Sequence, residues 1–487
     1  MKAGSPATPR WRYLSVCCVL IGLAGVLMGR LVMLQVTEEG QGAGFLREQG
    51  AMRTVRTAEI PVYRGLIEDR HGTPLAISSP VVSLWANPQQ LKDSPRLAEL
   101  AALLGVDAAE LKDKLALYGN KHFMYLARHQ APDFARQILQ EAFPGVRGER
   151  AYRRYYPAGE VTAQVLGLTN VDGEGIAGIE LAFEQWLQGI PGKKRFIKDL
   201  HGEAVRDFGL ITKPRPGKAL SLSLDLRLQY VQHRELQRAM KETGAVAGSA
   251  ITIDAWTGEI LAVSNYPVFN PNNREAFDDS AARNRALTDV YEPGSTIKTL
   301  TLIAALESGQ FTIDSLVDTA PGRIRVGSKV LHDPRNYGEI SVSKIIEKSS
   351  QVGVTKLAQA VGHEAILEVL LRFGFGTQTG TGFPGERAGS LPSMMHWSEI
   401  EKVTVAFGYG LNATPIQLAQ AYSILANDGV RQPLTLLKQD RETLPVGKRV
   451  VDARVAQDVL QVLGRVTGAG GTATLAQVPG FSVGGKT

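Results

Sequence analysis

The sequence predicts an α+β protein: an N-terminal transmembrane helix, an elongated β-rich middle region, and an antiparallel sheet flanked by helices. Three observations lead there. A charge-free apolar segment lies near the start of the chain. Short β-prone runs then alternate with short amphipathic helical patterns through residues 37–218. After a stretch rich in Pro, Gly and basic residues, the order becomes strand, helix, hairpin and further helices, the pattern of a sheet covered by helices.

The apolar segment runs from Tyr13 to Gly29 without a charge; beyond Arg30, Leu31-Val32-Met33-Leu34-Gln35-Val36 continues it. About 20 helical residues span the hydrocarbon of a bilayer, and Arg30 lies close enough to one end to snorkel. Lys2, Arg10 and Arg12 precede the segment and the first acid is Glu38, so the positive-inside rule keeps the N-terminus cytoplasmic and exports the body. A cleaved signal peptide is the competing reading. It lacks a good small-x-small site, and apolar residues continue past the point of cleavage. No later segment is long and apolar enough for a second span.

In the middle region, Val82-Ser83-Leu84-Trp85 is β-prone. Ser94-Pro95 is expected to open a helix carrying Leu97, Leu100 and Leu103, and Asp107 to cap the next, DAAELKDKLA. Ile211 to Lys218 (ITKPRPGK) is the expected linker and main domain boundary. The chain is thus divided into a cytoplasmic tail (1–12), an anchor (13–36), a non-catalytic pedestal (37–218) and a final domain (219–487). In the last, Ala219 to Leu224 alternates like a half-buried strand, and Arg227 to Lys241 has helical spacing. Gly248–Asp254 and Glu259–Ser264 flank a Gly-containing turn as a hairpin, with Trp256 expected to pack against a neighbour.

Composition narrows the function. The 487 residues exceed one ordinary core, and 44% apolar with 21% charged residues is a globular balance. A net charge of +6 without a concentrated basic run gives nucleic acid little to bind to. Cys17 and Cys18 both sit in the apolar segment, so the body has neither a disulfide framework nor a cysteine metal site. The eight histidines show no HExxH spacing, and no metal or organic cofactor is expected.

Chemistry concentrates at Ser295-Thr296-Ile297-Lys298, between Glu292-Pro293-Gly294 and the apolar run Thr299 to Leu306. One helical turn puts the hydroxyl and the amine on one face. A serine becomes nucleophilic when a partly desolvated, neutral lysine takes its proton. Alone the motif is weak: Ser341-Val342-Ser343-Lys344 is a second Ser-x-x-Lys, read here as a helix start. Two further elements strengthen it. Ser349-Ser350-Gln351, after a helical stretch from Val342 to Lys348, brings a hydroxyl and an amide. Phe481 to Thr487 reads as a strand presenting Lys486 and Thr487, a cation and a hydroxyl suited to a peptide carboxylate. His332 and Asp333, near Arg335, are candidates to line the cleft, with a solvated loop as the preferred reading. Thr414-Pro415-Ile416-Gln417 reads as a capping box, and Arg64 with Glu180 as polar contacts joining domains.

Ser-x-x-Lys, a Ser-x-amide element and terminal Lys-Thr, in that order, resemble the motifs of penicillin-binding proteins. The chain is similar to the class B members along nearly its whole length, most of all the division-specific FtsI type. The likeness is carried by Arg64-Gly65-Leu66-Ile67-Glu68-Asp69-Arg70, Arg153-Arg154-Tyr155-Tyr156-Pro157, Gly175 to Glu180, Asn284 to Ser295, and Phe407-Gly408-Tyr409-Gly410-Leu411. It implies a fold like that of the serine β-lactamases in the final domain and a dimerisation-like pedestal. It implies a D,D-transpeptidase that cross-links peptidoglycan stem peptides, is trapped by β-lactams, and works at the septum with cell-division proteins and a membrane glycosyltransferase. Ser295 would be acylated, Lys298 would take its proton and Ser349 would relay it. Gln351, Lys486 and Thr487 would bind substrate, and the oxyanion hole would combine the Ser295 N–H with one just past Thr487. Gln351 stands where the family usually has Asn. The family also places a glycine after Lys-Thr, so the resemblance implies a longer parent chain. A D,D-carboxypeptidase, a β-lactam-hydrolysing relative and a non-catalytic scaffold are the alternatives.

Overall fold

A computed structural model describes residues 9–36, 55–198, 204–273, 278–392 and 397–487. The expectations for Lys2, Glu38 and the juxtamembrane residues 37–54 lie outside these. The chain forms two compact units, residues 1–62 with 190–216, and residues 63–189 with 217–487.

The first unit contains helix α1 (Arg10–Val36), whose Arg10–Gln35 stretch is long and apolar enough to cross a membrane, with none of its most apolar window buried in the protein. It also holds a three-stranded antiparallel sheet of β1 (Val55–Ile60), β6 (Gly192–Lys198) and β7 (Ala204–Thr212), with β6 central.

In the second unit, β2 (Ile67–Glu68) leads into the long β3 (Pro74–Ala86), which pairs antiparallel with β4 (Met124–Gln130) on one side and β5 (Val146–Tyr155) on the other. Helices α2 (Leu97–Leu104), α3 (Ala108–Leu117) and α4 (Pro132–Gln140) cover one face of this sheet. Leu84, Leu100, Leu111, Leu115, Met124, Ile138 and Phe143 fill the space between. Asp107 caps α3 as expected, its carboxylate accepting from Ala109 N and Glu110 N. The preceding helix starts later than its Ser-Pro signal implied: Arg96 is the cap, and Ser94 Oγ accepts from Arg96 N in the turn before it.

Arg64, Arg154 on β5 and Glu180 on the short helix α5 (Gly178–Ala182) form a buried ionic cluster. Glu180, 0% exposed, receives Arg64 Nε at 2.5 Å and Arg154 Nε at 2.6 Å. Arg154 also donates to Gly65 O and Arg64 to Glu180 O, so the cluster ties strand to helix within residues 63–189. Nearby, Asn272 accepts from Tyr156 N and donates to Tyr156 O.

Strand β8 (Leu220–Ser221) pairs parallel with β2. The apolar–polar alternation here does not mark a solvated face: Ser223 is completely buried, its hydroxyl donating to Ile260 O at 2.7 Å. A satisfied hydroxyl is tolerated inside, so the alternation misled. Helix α6 (Leu226–Thr243) follows, capped by Asp225, and then the antiparallel hairpin of β9 (Gly248–Ile253) and β10 (Ile260–Tyr266). Its turn is closed by Asp254, which accepts from Trp256 N and Thr257 N; the Trp256 ring is 71% exposed rather than packed on a neighbour.

The remaining helices are α7 (Lys298–Glu307), α8 (Val342–Glu347), α9 (Gln351–Val361), α10 (His363–Arg372), α11 (Pro415–Ala426) and α12 (Ala453–Thr467). In α7, every residue from Lys298 to Ala305 is buried, in a cluster with Ile345, Leu357, Val405, Ile424 and Val459. Ser341 caps α8 by accepting from Lys344 N, and Thr414 with Gln417 forms the expected capping box of α11. The last residues do not form the expected strand. Gly485 N donates to Leu463 O and Thr467 Oγ1 to Val483 O, which fastens the segment to α12 as coil. Two consecutive glycines resist ordering, and Phe481 is exposed, so no apolar face recruits the segment to a sheet.

Candidate active site

Pro293 and Gly294 bring the chain into a 3₁₀ turn, Gly294–Ile297, that runs straight into α7. Gly294 has φ +60° and donates to Gly408 O. A Cβ on Gly408 would lie 2.1 Å from Gly294 O, so only glycine permits this approach. Tyr291 and Ala413 exchange both backbone hydrogen bonds, and Gly410 N donates to Glu292 Oε1 at 2.9 Å. The Phe407–Leu411 segment is therefore the brace of the turn that carries Ser295. Tyr422 of α11 locks the turn from behind, donating to Thr296 O at 2.9 Å, while Thr301 Oγ1 bonds Ala406 O.

Ser295 is half-buried, and its Oγ makes no hydrogen bond among the described residues. Its carbonyl accepts from Lys298 N, which places the two residues in the same turn. Lys298 is 1% exposed and reaches across to Ser349, donating to Ser349 O at 2.6 Å and to Ser349 Oγ at 3.1 Å. Lys486 Nζ donates to the same Oγ at 3.0 Å. Burial, followed by the positive charge of Lys486, pushes the Lys298 amine down to about 8, against a smaller opposing pull from Asp333. Burial pushes Lys486 down to about 8 as well. Each lysine holds its proton less tightly than a solvated lysine does, and one hydroxyl serves both.

Ser349 holds this position at a strained backbone angle, φ +55°. Helix α8 ends in a left-handed residue with Ser349 N bonded to Ile346 O and Ser350 N to Ile345 O, a Schellman closure in which glycine is usual. Ser350 then caps α9, accepting from Gly353 N, and Gln351 is the first residue of that helix. Thr487 Oγ1 lies 2.7 Å from Thr472 Oγ1, and its carbonyl accepts from Lys486 Nζ. The structure thus gathers Lys298, Ser349 and Lys486 around one oxygen, with Ser295 one turn from Lys298 and Gln351 two residues beyond Ser349. No hydrogen bond among the described residues joins Ser295 to Ser349, or Thr487 to either.

Known proteins give this arrangement its context. Residues 248–487 match the penicillin-binding protein transpeptidase domain, and residues 59–222 match the penicillin-binding protein dimerisation domain. The chain belongs to the class B penicillin-binding proteins. It is 38% identical over 485 residues to the peptidoglycan D,D-transpeptidase FtsI of Escherichia coli K12, covering 98% of this chain and 81% of that one. It is also 38% identical over 481 residues to the probable peptidoglycan D,D-transpeptidase PbpC of Pseudomonas aeruginosa, covering 98% and 84%. Among solved structures, penicillin-binding protein 3 of Mycobacterium tuberculosis in complex with aztreonam superposes with a TM-score of 0.66 at 28% identity, over 88% of this chain and 82% of that one. A peptidoglycan synthetase from Bifidobacterium adolescentis gives 0.65 at 25% identity, over 84% and 82%. The expected penicillin-binding fold and family are borne out, and the apolar N-terminal helix fits their single-pass anchor.

In this penicillin-binding protein, sequence reasoning misplaced one residue near the site. His332 and Arg335 are exposed, as a solvated loop would have them, but Asp333 is only 9% exposed. Its Oδ2 accepts from Ser350 Oγ at 2.5 Å, and its Oδ1 accepts from Gln351 N at 2.6 Å and Val352 N at 3.1 Å. It follows a short hairpin, Arg323–Val326 with Lys329–His332, that delivers it to the N-terminus of α9. Nothing local in the sequence announces this partnership across seventeen residues. A polar loop residue beside a proline reads as solvated until the tertiary fold is known.

Proposed function

We propose that this protein is a peptidoglycan D,D-transpeptidase working through an acyl-enzyme on Ser295. The observation that carries the reading is the pair of lysines, buried Lys298 and half-buried Lys486, sharing Ser349 Oγ beside the turn of Ser295. A serine hydroxyl needs a nearby base, and an amine lowered to about 8 has a usable neutral fraction at physiological pH. Ser295 Oγ attacks the carbonyl between the two terminal D-Ala residues of a stem peptide while its proton passes to Lys298. Ser349 relays the proton to the leaving amine, and D-Ala departs. An amine from a neighbouring stem then attacks the ester, forms the cross-link and regenerates Ser295. Lys486 and Thr487 face the donor carboxylate, Gln351 lines the cleft, and the Ser295 N–H contributes to the oxyanion hole. A β-lactam follows the first half-reaction and stays on Ser295. No cofactor enters these steps.

Arg10 and Arg12 in the first turn of the apolar helix favour a cytoplasmic N-terminus and a periplasmic or otherwise extracytoplasmic body on the cytoplasmic membrane. The FtsI names of the relatives support a role in septal synthesis with division proteins and a membrane glycosyltransferase. Labelling of the full chain by fluorescent penicillin tests the chemistry. The parent should carry one covalent label on the Ser295 peptide and Ser295→Ala none. Equal labelling of the alanine variant would refute the assignment.

A further inference from the structure

We propose that the cleft formed by Arg372, Gln420, Arg431, Lys448 and Arg449 binds a small oxyanion of two or more negative charges, a phosphate or carboxylate compound. The cleft has a volume of about 520 Å³ and shares no lining residue with the Ser295 site. Its occupancy is therefore a separate matter from the acylation of Ser295.

Four cationic side chains line the cleft and no acidic one does. Arg372, the last residue of α10, has its charge met outside the cleft by Glu307, with Glu368 4.0 Å from its Nε. The other three cations have no such counterpart among the described residues. Arg449 Nη1 donates to the carbonyls of Asp428 and Val451, which positions the guanidinium without cancelling its charge. The side chains of Arg431 and Lys448 make no hydrogen bond or ion pair among the described residues. Arg431 and Lys448 stand directly opposite each other in the two-stranded ladder of Val430–Arg431 with Lys448–Arg449. Like charges in that position repel. Three of the four ladder residues are cations, and a bound anion would turn this repulsion into attraction.

A second, independent observation lies deeper in the cleft. Gln420 of α11 is only 2% exposed, and its Nε2 has no hydrogen-bond partner among the described residues. The Nε of Arg372 is buried and without a hydrogen bond as well. A buried donor without an acceptor is costly, and two of them on one wall point to a missing acceptor. Gly374 shapes the floor. A Cβ there would lie 3.1 Å from Arg431 Nη1 and 3.3 Å from Gln420 Oε1, so guanidinium and amide converge over the space the glycine leaves. Glu386, beside the cleft residue Thr379, cannot serve as that acceptor, because its two oxygens are taken by Thr379 and Thr381. A guanidinium fork, an ammonium group and an amide N–H are the donor set that an oxyanion takes. Three unmatched cations call for a ligand of more than one negative charge.

Calorimetric titration of the full chain in detergent, at constant ionic strength, tests this with two probes, inorganic pyrophosphate and tricarballylate. Saturable binding of pyrophosphate alone assigns a phosphate compound, and of tricarballylate alone a carboxylate one. Binding of both supports the site on the chemistry they share. Arg431→Gln and Lys448→Gln should each raise the dissociation constant about tenfold, from the loss of a charge-assisted contact. Gln420→Leu should raise it about threefold, yet lift the thermal midpoint of the ligand-free protein, because the unpaired buried amide is gone. Lys112→Gln, an exposed position on α3, makes the same change in net charge and should stay within about twofold of the parent. Ser295→Ala should bind the probes as the parent does while losing its penicillin label, which separates this site from the acyl-enzyme reading. No saturable binding of either probe up to about 10 mM overturns the proposal. So does parental affinity in both Arg431→Gln and Lys448→Gln, or an equal loss in Lys112→Gln.

Discussion

The Arg64–Glu180–Arg154 cluster and the Lys298–Ser349–Lys486 cluster lie in the same compact unit, and both withdraw charged side chains from water. In the first, a fully buried carboxylate is shared by two guanidinium groups, and Arg64 has a further partner in Glu184 at 2.7 Å. Burial works against the Arg64 charge, but Glu180 and Glu184 more than offset it, so its pKa is held above the ordinary value. In the second, two amines meet one neutral hydroxyl, with Asp333 as the opposing charge acting on Lys298, and both pKa values fall to about 8. Matched buried charge makes a fixed joint. Mismatched buried charge makes a proton acceptor. Residue types alone do not distinguish the two; what does is whether each charge is met by its opposite.

The sharpest way to break the contrast is to remove one amine. Lys298→Met keeps an unbranched side chain, one atom shorter, and discards the group whose charged form burial disfavours. Penicillin labelling should fall by about a thousandfold or more, because the base is gone. The thermal midpoint should nevertheless rise, since a buried, poorly matched polar head is replaced by an apolar one. A midpoint that fell with the rate would show that Lys298 contributes to stability as the arginines do. The reverse experiment is Glu180→Gln. Two guanidinium groups then share a neutral amide, and the loss should be about 3–5 kcal/mol in denaturant unfolding. The labelling rate per folded molecule should stay at the parental value. A large drop in that rate would mean that the ionic joint reaches the site.

A pH series sharpens the comparison at smaller amplitude. Labelling should climb as pH rises through about 8, the value to which burial and Lys486 bring Lys298. Stability moves in the same direction. The folded pKa of about 8 lies below the ordinary 10.5, so between those values the unfolded chain binds more protons. The contribution of Lys298 to stability therefore grows with pH across that window. Lys298→Met should flatten part of the rise, and an unaltered slope would argue that the amine is solvated.

How much of this was legible beforehand follows the range of each interaction. The caps of α3, α8 and α11 are contacts over three or so residues, and Asp107, Ser341 and Thr414 announce them correctly. The β9–β10 hairpin is similarly local. The motif serines and lysines were readable as types, but the sharing of Ser349 Oγ joins residues 137 positions apart. Tyr422 escaped notice, and the solvated-loop reading was preferred for Asp333, because their partners lie far along the chain. The strand expected over Phe481–Thr487 failed for a complementary reason. A strand is defined by its neighbour, and the local pattern does not say whether one is present.

The finest test concerns a single backbone angle. Ser349 occupies, at φ +55°, the helix-closing position that glycine usually fills. Ser349→Gly should therefore stabilise the fold by about 0.5–1 kcal/mol relative to Ser349→Ala, which keeps the strained Cβ while losing the same hydroxyl. Both variants should label about a hundredfold more slowly than the parent, because Lys298 and Lys486 no longer share a relay atom. Lys298 would keep its bond to the backbone carbonyl of residue 349, so the amine should stay in place and the loss fall on proton transfer. Equal stability of the two variants would mean that the turn is not strained. Parental labelling by the glycine variant would remove Ser349 from the proton path. If both expectations hold, the protein retains a serine where glycine would fold better, and the retained strain is the cost of holding a hydroxyl between two depressed amines.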